Sequence, residues 1–207
     1  MQKFRSVLIR TGREPLVGRV EVDEASVGGE REGKRGRGAE GKILVLIAVE
    51  GDAEKKLGRI RFRCVASIYL ETVESFVWDC VAVGAAVITN GLFLVYDKLG
   101  AAGFDHRPHV TRTGCENAQK QLDHVHLVIS LLKRWLGATH QGAVTPSHLD
   151  AYLDEFAFRF NRRLSRHRGK LLHRLLQQAI RARPPAVKAL ETTLADTRPF
   201  ASPWQGG

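Results

Sequence analysis

An aspartate on a valine-rich strand, an amide at a strand-ending turn and a histidine on a long amphipathic helix are the residues of this chain best placed for chemistry. In Val20-Glu21-Val22-Asp23-Glu24 the alternation puts the valines on one face and Glu21 and Asp23 on the other. A carboxylate on a central strand is costly to bury unless a cation meets it, so Asp23 is a candidate ligand for a hard divalent ion. The other reading of the same pattern is an edge strand with a solvated acidic face. Asn90, in Thr89-Asn90-Gly91, offers one neutral carbonyl oxygen where a carboxylate would offer a charge. His126 and Lys133 stand two turns apart on one helix and share a face, with Ser130 between them. By itself a lone helical histidine reads as a surface residue, and Lys133 beside Arg134 reads as an ordinary exposed cation.

The elements that must position these residues follow from hydrophobic period. Residues 18–24 alternate as a strand, and 42–50 are so continuously apolar that both faces should be buried. Residues 59–65 alternate again, with arginines on one side and Ile60, Phe62 and Cys64 on the other. Short or Gly-rich links between the three predict an antiparallel meander. Leu70, Val73, Phe76, Val77 and Cys80 then recur at helical spacing, and 85–89 form a short strand stopped by Asn90-Gly91. A short helix over 96–103 and a short strand over 109–111 follow. An amphipathic helix over 120–137 comes next, with Val125, Val128, Ile129, Leu132 and Leu136 on its apolar face. Thr145-Pro146 begins a further helix whose buried side carries Leu149, Tyr152, Leu153, Phe156 and Phe160, and Leu171, Leu172, Leu175 and Leu176 predict one more.

Three antiparallel strands followed by helix, strand, helix, strand, helix is the order of a ribonuclease H-like α/β fold. It implies a mixed five-stranded sheet flanked by helices, here with added C-terminal helices. Nucleases and transposases of that architecture hold two divalent cations roughly 3.5–4 Å apart, one for the attacking and one for the leaving oxygen. Their ligands come from the middle of the first strand, the end of the fourth and the long helix after the fifth, which in this chain are Asp23, Asn90 and His126.

Charge sets the class of partner. Thirty-two Lys and Arg against 22 Asp and Glu leave +10, which favours a polyanion, most commonly nucleic acid. Residues 159–183 carry nine basic and no acidic side chains, among them Arg162, Arg163, Arg166, Arg168 and Lys170. A second cluster, with Lys34, Arg35 and Arg37, is interleaved with glycines and reads as a loop. Either cluster alone is equally well explained as a solvated surface; together they favour phosphate contact, with Lys133 and Arg134 added. Three scattered cysteines make neither a CxxC pair nor a disulfide framework, and no apolar run is long enough to span a membrane.

The stretches VEVDEASVGG, GKRGRG, ITNG, SLLKRWLGATHQGAVTPSHLDAYLDEFAFRFNRR and SRHRGKLLHRLLQQAI resemble bacterial insertion-sequence transposases of the ISXO type, over about residues 3–180. The resemblance implies a DDE-class enzyme using Mg²⁺ or Mn²⁺, two ions, for cleavage and strand transfer on double-stranded DNA. It implies element ends and target DNA as substrates, a homo-oligomer on DNA, and a place in the cytoplasm on the nucleoid. Asp23 corresponds to the family's first aspartate, Asn90 to its second, His126 to the third position, and Lys133 to the basic residue two turns later. Asn90 departs from the family's T-D-G turn. With a neutral amide and a neutral imidazole, Asp23 is the sole formal charge among the three, so weak metal binding and a poor or inactive catalyst are expected. Asp97 is a possible substitute on a different element. The expected division is a core over 1–137 with a Gly/Arg-rich insert at 28–41, a basic helical extension over 138–183 and a tail over 184–207. Transposases of this type commonly carry a zinc-ribbon and helix-turn-helix region before the core. Only 22 residues precede Asp23, so the chain is expected to be a catalytic domain without that reader. The alternative is an inactive DNA-binding remnant.

Overall fold

The computed structural model describes residues 13–28, 42–51, 56–90, 96, 99–100, 103–108, 122–140, 146–167, 169–170, 173 and 176–177. Five strands form one sheet: β1 (Arg19–Val27), β2 (Ile43–Gly51), β3 (Leu57–Val65), β4 (Ala86–Thr89) and β5 (Asp105–Pro108). Helix α1 (Leu70–Cys80) leads into β4, and α2 (Asp123–His140) and α3 (Pro146–Asn161) follow β5. The strand order is β3-β2-β1-β4-β5, with β1, β2 and β3 antiparallel and β4 and β5 running parallel to β1. This is the mixed ribonuclease H-like sheet that the element order predicts.

Strand β2 has apolar side chains on both faces because helices cover both. Val45, Ile47 and Val49 join Ile60, Val125, Val128, Leu132, Leu136, Leu149 and Leu153 beneath α2 and α3. Leu46 and Ala48 join Val20, Val22, Val73, Phe76 and Val77 beneath α1. The helical faces expected for α2 and α3 are the buried ones, with Ile129 and Tyr152 at their margins. On β3 the alternation also holds: Ile60, Phe62 and Cys64 face α3, while Arg63 reaches Asp79 of α1 at 2.5 Å and lies over the Phe76 ring. Ahead of β1, Leu16 is fully buried and clips onto the end of α1, donating to the Cys80 carbonyl and accepting from Ala82 N–H.

The last strand differs from expectation. It occupies Asp105–Pro108, earlier than 109–111, which lie outside the described residues. Asp105 and Arg107 pair with each other on this exposed edge, and no apolar alternation marks it in the sequence. Of the expected 96–103 helix, the described residues include buried Tyr96 and Leu99, and Gly103 closes the stretch at φ +88°. Residues 169–170, 173 and 176–177 are helical, as the leucine spacing there predicts.

The opposite edge, β3, is closed by side chains from the end of α3. Asn161 accepts from Ile60 N–H at 2.8 Å and donates to Ile60 C=O at 3.1 Å, so its amide substitutes for a neighbouring strand. Arg163 donates to the carbonyls of Leu57 and Gly58 and stacks on Phe160. Asn161→Ala should therefore cost about 2 kcal/mol, two partly buried hydrogen bonds, in denaturant titration. A loss below a few tenths would show that the amide contributes nothing to the edge.

Candidate active site

Strand β1 carries two acidic side chains on its α2 face, Glu21 and Asp23, and the N-terminus of α2 is set down on both. Glu21 is only 1% exposed. Its carboxylate accepts the Val125 N–H at 3.0 Å and lies 3.1 Å from His124 Nδ1. An acceptor from β1 thus meets one of the first-turn N–H groups of α2, where a negative charge also interacts favourably with the positive end of the helix dipole. Gly51, at the end of β2, lets His124 approach: a Cβ there would stand 2.7 Å from His124 Nδ1. The arrangement fixes α2 against β1 one residue before His126.

Two residues further along both elements, Asp23 faces His126. Asp23 is 7% exposed, and its Oδ2 lies 3.3 Å from His126 Nε2, whose side chain is 50% exposed. Strand β4 pairs with β1 only as far as Thr89 opposite Val22, so Asn90 emerges beside Asp23. The Asn90 amide donates to Asp23 Oδ1 at 2.9 Å and to Glu24 Oε2 at 3.4 Å. Tyr96 donates its hydroxyl to the same Glu24 oxygen, and Thr89 Oγ1 meets His106 Nε2 at 3.1 Å. Asp23, Asn90 and His126 therefore meet at one place, while Lys133 lies exposed about 10 Å further along α2. Asp97 lies outside the described residues.

Two further acidic residues stand at the site that the sequence pattern does not single out as ligands or supports. Glu24 is assigned to the valine face by alternation, yet it shares the Asn90 amide with Asp23 because β4 stops one residue short. Glu21 carries a signal in retrospect: it shares the Asp23 face, and buried acids at i and i+2 require partners from whatever packs above.

Burial, and then the neighbouring Glu24 carboxylate, push the Asp23 carboxyl up from 3.8 to about 6, while His126 pulls it down. A carboxyl whose folded pKa exceeds its unfolded value takes up protons on folding. Stability is then greatest below pH 4, falls as pH rises through 6, and the cost is complete above it. Asp154, also pushed up to about 6 by burial, acts in the same window. Asp23→Asn should raise the neutral-pH stability of the metal-free protein by about 2 kcal/mol and flatten its pH dependence between 4 and 6. An unchanged pH slope in that variant would contradict the placement of Asp23. Burial raises the thiols as well, Cys80 to about 12 and Cys64 further, so neither is a nucleophile at neutral pH.

The donor set fits one weakly held divalent ion better than a pair. Asp23 is the single anionic oxygen donor of the trio, and its two oxygens already face an amide N–H and an imidazole. Among the described residues no group of three or more His, Cys, Asp or Glu stands at metal-holding spacing.

Of the basic residues singled out above, Lys133, Arg134, Arg163, Arg166 and Lys170 are exposed. Arg162 lies over the Phe158 ring and donates to the Phe158 carbonyl, and Arg163 spends its donors on β3. Lys34, Arg35, Arg37 and Arg168 lie outside the described residues. No helix among the described residues is long and apolar enough to cross a membrane.

A ribonuclease H-like sheet with an acid in the middle of β1, a polar residue just past β4 and a polar face on α2 is the layout expected of a DDE-type phosphoryl-transfer domain. The chain belongs to the ISXO2-like transposase domain family, whose model matches residues 15–161. No curated protein matches it significantly. Membership makes this a DDE-type transposase domain, from a family that generally uses divalent metal ions and acts on DNA.

Proposed function

We propose that this domain carries out metal-dependent cleavage and strand transfer of an insertion sequence at the Asp23–Asn90–His126 site, and does so poorly because position 90 is an amide. The convergence of the three side chains, from the middle of β1, the end of β4 and the first turn of α2, carries the reading. When bound, Mg²⁺ or Mn²⁺ would polarise the scissile phosphate and orient the attacking oxygen. Asp23 and His126 would hold it, with Asn90 contributing its carbonyl oxygen. Occupancy by two ions would be weak, since a single carboxylate among the three offsets little of their charge. Lys133 holds a DNA phosphate near the site as a point charge. Arg134, Arg162, Arg166, Arg168 and Lys170, with Lys34, Arg35 and Arg37, extend that contact along the duplex, and Arg163, three of whose N–H groups bond main-chain carbonyls, adds its charge. Such contact is salt-sensitive and weakly sequence-specific. Work on paired element ends requires an oligomer, assembled on the nucleoid in the cytoplasm.

The second reading is an inactive DNA-binding remnant, favoured by the Asn90 N–H that occupies Asp23 where a cation would stand. A Mn²⁺ titration separates the two. Saturable binding that disappears in Asp23→Ala supports the enzyme; no saturable binding, or binding indifferent to Asp23, supports the remnant.

A further inference from the structure

On the far side of β2 from the Asp23 site, a cleft of about 250 Å³ opens along the outer edge of β3. Four guanidinium groups line it, Arg13, Arg59, Arg61 and Arg162, against two carboxylates, Glu14 and Asp154. The pairing is uneven. Arg59 is taken up by Glu50, which it meets through two hydrogen bonds of 2.8 and 2.7 Å, and Glu14 reaches the same guanidinium at 3.5 Å. Arg61 is different. It is 8% exposed and donates to two main-chain carbonyls, Ile60 at 3.0 Å and Glu14 at 2.9 Å. Among the described residues no carboxylate stands within ion-pair distance of it. Carbonyls satisfy N–H groups but leave the charge itself uncompensated, and a buried cation without a counter-charge is rare in folded proteins.

We propose that this cleft is a phosphate-binding site, with Arg61 as its floor and Arg13 and Arg162 at its sides. The planar guanidinium fork suits phosphate oxygens. Repulsion within the cluster agrees: burial, then Arg13 and Arg59, hold Arg61 below its ordinary pKa, with Cys80 and Glu50 offsetting only part of the effect. An anion in the cleft would relieve all three. Asp154 opposes it, and its carboxyl, pushed up to about 6, gives up that opposition more readily than an ordinary aspartate.

The test is thermal unfolding in inorganic phosphate against chloride at matched ionic strength. At about ten times its Kd, phosphate should raise the unfolding temperature of the unaltered chain by about 4 °C. Arg61→Met should abolish that shift and, in chloride, unfold at or above the unaltered temperature, because an unpaired buried charge has been replaced by an apolar chain. Arg13→Gln, at an exposed rim position, should weaken phosphate severalfold without disturbing the interior and serves if Arg61→Met folds poorly. A short DNA duplex identifies the source of the phosphate. If the salt slope of duplex binding falls by about one in Arg61→Met, the occupant is a DNA backbone phosphate. If the slope is unchanged while the inorganic phosphate shift is lost, it is a small phosphorylated molecule. Equal unfolding temperatures in phosphate and chloride, or a shift that survives both substitutions, overturn the proposal. Neither metal nor Asp23 enters these measurements, so their failure leaves the Asp23 reading standing.

Discussion

Asn90→Asp is expected to move stability in opposite directions according to metal. Without metal, the new carboxylate would lie where the amide now donates, 2.9 Å from Asp23 Oδ1 and 3.4 Å from Glu24 Oε2. A hydrogen bond is replaced by like-charge repulsion, and one of the acids must take up a proton. The loss should be about 2 kcal/mol at pH 7, or roughly 4–8 °C in unfolding temperature. With Mn²⁺ the same charge becomes a ligand. Affinity should rise at least about tenfold, and saturating metal should recover the lost stability. Calorimetry and thermal unfolding read both effects. A variant as stable as the parent without metal, and no tighter with it, would place Asn90 outside the ligand set.

The second large effect lies behind the site. Glu21→Leu should destabilise the domain by about 3 kcal/mol, because it leaves the buried Val125 N–H without its acceptor and His124 without its carboxylate. Glu21→Gln keeps an acceptor oxygen and should cost about 1 kcal/mol. More than stability is at stake, since the Val125 hydrogen bond sets the position of α2 one residue before His126. The ring-proton NMR resonances of His126 should therefore shift in Glu21→Leu and stay near their parental positions in Glu21→Gln. Unmoved resonances in both variants would limit Glu21 to a packing role.

The long elements were legible in the sequence because their patterns carry one physical cause each. The unbroken apolar run of β2 reflects cover on both faces, and the Val125–Leu136 stripe reflects one buried face of α2. Strand β5 was not legible at Asp105–Pro108: an exposed edge strand of Asp, His, Arg and Pro has nothing to bury on either face. At the site, Asp23, Asn90 and His126 could be proposed from element order and resemblance, since each sits at an element's middle or end. Glu24 could not, because alternation puts it on the opposite face from Asp23, and it is the Asn90 amide, one residue past the end of β4 pairing at Thr89, that reaches both carboxylates. Glu21 was assigned the correct face but no partner, since its partners are a main-chain N–H of α2 and an imidazole beside Gly51. Such contacts depend on where a helix begins to within one residue, which periodicity does not resolve.

The measurement that bears most directly on the site is Mg²⁺-dependent strand cleavage and transfer on element-end DNA, comparing the natural chain with Asn90→Asp. Restoring the carboxylate should raise the rate at least about tenfold, and adding Asp23→Asn to that variant should remove the gain. Equal rates with Asn or Asp at position 90 would mean that the amide beside Asp23 is not what limits this domain.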